Sequence, residues 1–535
     1  MGTNRRLTPI PVKSVPAPPV SFYRSKTPGG AGTHRTPVKR PLCVRVSRVP
    51  RYGRRSLAVT SQVKCRQRAR IRHGFQTKLT NLCMFGFLTI LVALSTATST
   101  NLDALCSYIT AQGGLLGSVT VAAIDGLRGL STTRAVRAGE ELFAIPAHLA
   151  LVDMDALASE GAASALCKRA AIEHEHELMA VALLHRLRSG TVPALLTASL
   201  PALEDFVPGP TWLWTEAELA ALASPQLAGL SRWRRDECER LHRDIEPLWI
   251  ASGCFGSPPS LREVTWAVAI ATSRMLSAVS EATGDTLPVL LPVADLMNHD
   301  PHGKGVRFTL ESLKESGATS AAIQGNQRQS TAISGGRSAA ASASRYQYVC
   351  RSVGDLPAGA PVTFSYDTRA PNAHLLLHFG FMLPSNPYEI IEIDMMPLFE
   401  QCPRDAIERC VHAGLLEGRV GVEGATGGVQ TRRLQEMSPR LREAVRLLVH
   451  AAAAQDEDDS ETDDERLRIR ADEALAGLLQ ETLRTLEEHE APAAELPATS
   501  TGVSVLRARV AAAFRRSRQE QLRIELAQLQ RQDSA

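Results

Sequence analysis

The first eighty residues contain no aspartate or glutamate, although they hold nineteen lysines and arginines. A segment so basic, rich in Pro, Arg, Ser and Thr, cannot bury enough apolar surface to fold and is expected to be disordered. It also masks the charge of the remaining chain. The whole sequence carries a formal net charge of +4, but residues 81–535 hold 41 basic and 56 acidic groups, a balance of −15. That acidity argues against nucleic acid as a partner. The ten cysteines include no Cys-x-x-Cys and no zinc-type spacing, which excludes a disulfide framework and gives no reason to expect a metal. Long apolar runs are missing too. Leu82 to Leu94 supplies thirteen mostly apolar residues, short of the roughly 20 that span a bilayer.

Three readings of residues 1–100 stay open: an organelle-targeting leader such as a plastid transit peptide, a short membrane anchor, or an upstream region wrongly included in the coding sequence. The location is accordingly an organelle or, alternatively, cytoplasmic or membrane-anchored. Small residues after Leu94 suit a cleavage site, and the basic, acid-free composition favours the leader. Any membrane contact would run through residues 82–94.

A chain of 535 residues is too long for one ordinary core, so two or three folded units are expected. Folded sequence begins near Asn101. Short strand-like runs separated by glycine turns occupy Leu115 to Leu151. From about 153 to 285 the apolar residues recur at helical spacing, as in Glu175–Arg188 and Pro225–Leu241, with Trp212 and Trp214 as expected core anchors. Residues 311–344 form a low-complexity loop rich in Ser, Ala, Gly and Gln, after which strand pairing should resume at Tyr346. Beyond about Asn386 the pattern turns helical, with Pro403–Ala413 and Pro439–Ala452 each opening on a proline. An acidic stretch at 456–465 separates these from two further amphipathic helices. Leu475, Leu478, Leu479, Leu483 and Leu486 form the stripe of one; Val503, Leu506, Val510 and Phe514 form that of the other.

Two motifs near the middle carry chemistry. The run Val289-Leu290-Leu291-Pro292-Val293 leads into Asp295-Leu296-Met297-Asn298-His299. Pro361-Val362-Thr363-Phe364 leads into Ser365-Tyr366-Asp367, followed by Asn372 and Phe379-Gly380-Phe381. Each reads as an extended segment delivering polar side chains to its end. Upstream lie Asp125-Gly126-Leu127-Arg128-Gly129-Leu130 and Thr272-Ser273-Arg274. In this order the four motifs resemble those of a SET-domain methyltransferase of the Rubisco large-subunit methyltransferase class, over about half the chain, from Leu115 to Leu383. The resemblance implies an α+β fold. A SET-domain β-fold with a pseudoknot and an inserted helical subdomain would fill 101–385, followed by an all-α, substrate-binding-like domain at 386–535.

It also implies S-adenosylmethionine as cofactor, held by Gly126, Arg128, Arg274, Asn298 and His299, and Tyr366 as the catalytic residue. Arg274 would pair with the cofactor carboxylate through its planar fork. Asn298 and the main chain around Gly126 and Arg128 would accept from its ammonium, with His299 beside the adenine. A neutral phenol at Tyr366 can bond an amine and turn oxygen lone pairs toward a methyl carbon. The implied activity is protein-lysine N-methylation of a non-histone protein. Two alternatives remain, a protein-histidine methyltransferase of the same class and an inactive SET scaffold that binds a partner protein. The histidine branch carries an asparagine and a tryptophan where this chain has Leu276 and Ala294, which favours lysine. With Phe379, these form the expected apolar substrate channel. Phe379 stands where a tyrosine is common, a change that bears on how many methyl groups are added.

Overall fold

The computed structural model describes residues 102–124, 127–153, 161–197, 199–301, 305–312, 345–384, 386, 388–415, 428–432, 439–454, 464–488 and 502–532. The leader, the 82–94 run, the 313–344 insert and most of the acidic stretch lie outside them. Among the described residues no helix is long and apolar enough to cross a membrane.

Two sheets carry the first half of the structure. One is four-stranded, in the order β1 (Val119–Ile124), β2 (Leu127–Thr132), β10 (Pro361–Phe364) and β7 (Asn298–His299). The other runs β3 (Glu141–Pro146), β9 (Tyr346–Ser352), β8 (Val306–Ser312), β5 (Leu276–Ser280), β6 (Thr286–Leu290) and β4 (Val152–Asp153). β3 and β9 are apolar along most of their length and bury Leu142, Phe143, Ile145, Tyr348 and Cys350 in the main core. Pro288 sits in β6, which has only the two-residue β4 beyond it. A proline is tolerable in so short a ladder.

Between β4 and β5 the chain is helical, as its periodicity indicates. The helix Leu261–Arg274 begins with a reciprocal cap: Glu263 N–H donates to Ser260 Oγ at 3.3 Å and Ser260 N–H to Glu263 Oε2 at 2.7 Å. Its apolar face from Val264 to Ala271 is buried. The helix stops at Arg274, placing a cation at the negative end of the dipole. Trp212 and Trp214 are both buried, as core anchors should be. The helical insertion ends at Arg274, and the strand β5 starts at Leu276, inside the range read as helical.

The expectation of an all-α C-terminal region needs one correction. Ile390–Asp394 (β11) pairs antiparallel with Gly428–Arg432 (β12). Ile390, Ile391 and Ile393 are β-branched and favour extended backbone over helix. The helices Arg404–His412, Pro439–Ala453, Asp464–Glu488 and Gly502–Gln532 follow the sequence reading closely. A second core forms among them from Leu441, Leu448, Leu475, Leu479 and Leu486. The last helix belongs to both cores. Val510, Ala511 and Phe514 enter the main one, whereas Leu522, Leu526 and Leu529 enter the second.

Candidate active site

The two central motifs meet at a crossing of the chain. β10 pairs antiparallel with β2 through Pro361 and Val362, then parallel with β7, setting Thr363 against Asn298 and Phe364 against His299. Asp300 N–H donates to Phe364 O at 2.9 Å and extends the ladder by one bond. The approach is so close at Gly305 that an added Cβ would lie 1.5 Å from the Thr363 carbonyl oxygen. Only glycine fits where one segment passes beneath the other.

Tyr366 follows directly. Its backbone N–H donates to His299 Nδ1 at 3.1 Å, and its hydroxyl donates to Met297 O at 2.8 Å. The proton of the phenol is thus committed to a carbonyl, and the oxygen lone pairs are left for a ligand. Aromatic rings surround it, with centroids at 4.8 Å for Phe379, 4.9 Å for Phe364, 5.2 Å for His299 and 6.0 Å for Phe381. Burial among them pushes the phenol up to about 12, against a smaller opposing pull from Arg274. The same burial lowers His299, which accepts a hydrogen bond and is held neutral.

A charged group lies beside this ring. Arg274 Nη1 donates to Asp295 Oδ2 at 2.7 Å and to the Asp295 carbonyl at 3.1 Å. Burial raises the pKa of Asp295, and the charge of Arg274 pulls the other way. Arg128 is largely open to water, yet crowding around its side chain and then the charge of Arg274 lower it. It remains a guanidinium. The carboxylates of Asp295 and Asp205 also act on Arg128, and the two guanidiniums can still meet an anionic ligand group through their free N–H donors. Asn298 Nδ2 donates to Arg128 O at 3.3 Å and bridges β7 to β2. Three buried atoms at this site, Arg274 Nε, Asp295 Oδ1 and Ser365 Oγ, find no hydrogen-bond partner among the described residues. Such atoms call for an external partner.

Thus Tyr366, His299, Asn298, Arg274, Arg128 and Phe379 come together. Gly126 lies outside the described residues; Ile124 and Leu127, which flank residues 125–126, pair with each other. Leu276 and Ala294 are packed in the main core at 2% and 0% exposure, so neither offers a face to a substrate. Sequence reasoning gave no role to Asp295, Ser365, Phe381 or the Met297 carbonyl. Nor did it give one to Asn372, fully buried, which donates to and accepts from Leu383 at 3.0 and 2.8 Å and so shapes the Phe379–Phe381 segment. An open groove of about 390 Å³ lies elsewhere, lined by Ser280, Glu281, Arg307, Glu311 and Arg351. It holds none of these chemical groups.

No family model matches the chain. It is 32% identical over 181 residues to the chloroplastic [fructose-bisphosphate aldolase]-lysine N-methyltransferase of Arabidopsis thaliana. That match covers 33% of this chain and 31% of the relative's length. Among solved structures it is similar to the SET domain of LSMT bound to lysine and AdoHcy, with TM-score 0.53 and 18% identity, covering 81% of this chain and 92% of that one. Rubisco LSMT bound to sinefungin and monomethyllysine gives TM-score 0.52, also at 18% identity, with the same coverage. The chain has the SET-domain fold of Rubisco LSMT. The α+β architecture that the resemblance implies is therefore correct, and β7 and β10 pair in parallel where that resemblance puts the pseudoknot.

Proposed function

We propose that the protein transfers the methyl group of S-adenosylmethionine to a lysine side-chain amine of a protein substrate. The observation that carries this reading is the Tyr366 hydroxyl. It is half-buried, neutral and fixed to the Met297 carbonyl, beside a cationic pair with orphaned polar atoms. The cofactor's methionyl end bears a carboxylate and an ammonium. Arg128 and Arg274 would meet the first, and Asn298 and nearby main-chain carbonyls the second. When bound, the cofactor supplies an activated methyl on a sulfonium. Everything else is positioning and exclusion of water.

Methyl transfer needs nucleophile, methyl and sulfur in line, with the reacting atoms about 3 Å apart. Phe364, Phe379 and Phe381 wall off water around Tyr366. An apolar wall disfavours an ammonium and so promotes loss of the lysine proton, from a reference pKa of about 10.4. With its own proton given to Met297, the phenol oxygen can accept from the neutral amine. It can also make weak C–H···O contact with the methyl. The Arabidopsis relative, named for lysine methylation of fructose-bisphosphate aldolase, supports lysine and a non-histone substrate. On a peptide array with labelled S-adenosylmethionine, the full chain should mark lysine peptides and leave histidine peptides unmarked. Marking of histidine alone would reject the choice of target.

A further inference from the structure

The aromatic ring around Tyr366 is backed by a contact from the far end of the chain. Gly380, between Phe379 and Phe381, has φ +79°. A Cβ there would fall 2.4 Å from the Gly209 carbonyl carbon and 2.8 Å from its Cα, so the two backbones touch. Gly209 itself has φ +73° and belongs to the loop that precedes Trp214. Two side chains fix that loop by its carbonyls. Trp214 Nε1 donates to Pro208 O at 3.1 Å and Gly209 O at 2.9 Å. Arg507 Nε donates to the same Pro208 O at 2.9 Å.

Arg507 comes from the last helix, one turn before Val510 enters the main core. Its Nη1 pairs with Glu218 Oε2 at 2.9 Å, and the two side chains are only 13% and 12% exposed. Its guanidinium also stands 5.8 Å from the Trp214 ring centroid. Glu218 is shared, since it accepts from Thr215 N–H at 2.7 Å in the cap of the helix Glu216–Ala220. The planar fork of Arg507 therefore satisfies a carbonyl, a carboxylate and an indole face at once, which an ammonium cannot do. A buried pair of this kind contributes little net stability and is better suited to fixing one geometry.

We propose that Arg507 is a positioning residue for the catalytic tyrosine, acting through Pro208, Gly209 and Gly380 on Phe379 and Phe381. The C-terminal helical region is then part of the machinery that shapes the site, and does more than hold substrate. This inference rests on the methyltransfer reading. The Tyr366 hydroxyl must align with atoms about 3 Å away, and a displacement near 1 Å costs about 100-fold in rate. Arg274, Asp295 and Asn298 hang from other elements, so cofactor affinity should not follow.

The test uses the full chain, a lysine peptide selected on the array, and the variants Arg507→Ala, Arg507→Lys and Phe379→Ala. Arg507→Lys keeps a cation for Glu218 and is the variant least able to disturb folding. We expect kcat to fall about 10–100-fold in Arg507→Lys and further in Arg507→Ala, with S-adenosylmethionine Kd within about twofold by calorimetry. In a Phe379→Ala background the Arg507 change should lower kcat less than about threefold, because the two act as one unit. A loss equal in both backgrounds, or wild-type kcat in Arg507→Lys, overturns the proposal. Hydrogen exchange gives a readout independent of activity. The amides of Phe379 and Gly380 donate to Leu375 O at 2.9 and 3.0 Å. Both should exchange faster in Arg507→Lys, and unchanged protection overturns the coupling. A wild-type protein that methylates nothing, yet shows this exchange effect, refutes the methyltransfer reading and leaves the link intact.

Discussion

A single methyl group added at Gly129 should separate cofactor binding from folding. Gly129 lies in β2, opposite Ala122, with its flat face against Asn298. A Cβ there would come 2.6 Å from Asn298 Nδ2 and 3.3 Å from Ile124 Cδ1. The first separation is too short for any real contact, so the amide must turn away and give up its 3.3 Å bond to Arg128 O. Overpacking of this size costs about 1–3 kcal/mol of stability. The binding loss has a different origin. An amide aimed at a charged ammonium contributes about 1.5–3 kcal/mol. At about 1.4 kcal/mol per tenfold change, Gly129→Ala should weaken S-adenosylmethionine about 10- to 150-fold. Calorimetric titration measures this directly, and a denaturant melt on the same preparation reports folding. A variant that stays folded and binds cofactor as tightly as the wild type would refute the placement of Asn298 in the cofactor site.

Gly305→Ala should fail to reach the folded state, since its methyl overlaps the Thr363 carbonyl, whereas Gly354→Ala, with nothing within 4 Å, should melt like the wild type; circular dichroism melts compare the two. Stability should fall as pH drops. Burial holds His299 and His378 below the usual imidazole value and His176 down at about 3, so each takes up a proton more readily once unfolded. Their contribution is complete above about pH 6.5 and is lost as pH falls below it, through the depressed folded values. Denaturant titrations at pH 8, 6 and 5 should show this slope, and His176→Gln should flatten it; equal stability at all three would contradict the burial argument. A chain beginning at Asn101 should remain soluble and bind cofactor, because the described fold starts with the helix at 102–111.

Much of the site was legible because its residues sit at strand ends and in short contiguous motifs. Asn298, His299 and Tyr366 are close in space since β7 and β10 pair; the run Pro361–Phe364 announces β10, whereas Val289–Val293 closes β6 and turns before β7 begins. Contacts that depend on distant segments left no such mark. Gly305 and Gly129 look like ordinary loop and strand glycines until the facing atoms are known. The turn into Asp295 is another case. Val293 has φ +68°, with Ala294 N–H donating to Pro292 O at 2.8 Å, a tight turn strained for a β-branched residue. Propensity argues against that conformation, so tertiary packing must impose it. The offsets of Leu276 and Ala294 from the motif residues do not tell which side of the chain faces a ligand, and both side chains turn into the core. The stripe Val503, Leu506, Val510 and Phe514 reads as one helix face, but periodicity alone cannot reveal that Phe514 and Leu526 enter different cores.

In the proposed reaction Tyr366 acts on the transferred group while Arg274 and Asn298 hold the cofactor. Tyr366→Phe keeps the ring and removes only the hydroxyl bonded to Met297 O. Measured side by side in calorimetry and in a labelled-methyl transfer assay on a lysine peptide, this variant should bind S-adenosylmethionine as the wild type does. Its kcat should drop about 100-fold or more, because the lost oxygen acts chiefly at the transition state. Full transfer activity with Phe at position 366 would contradict the account.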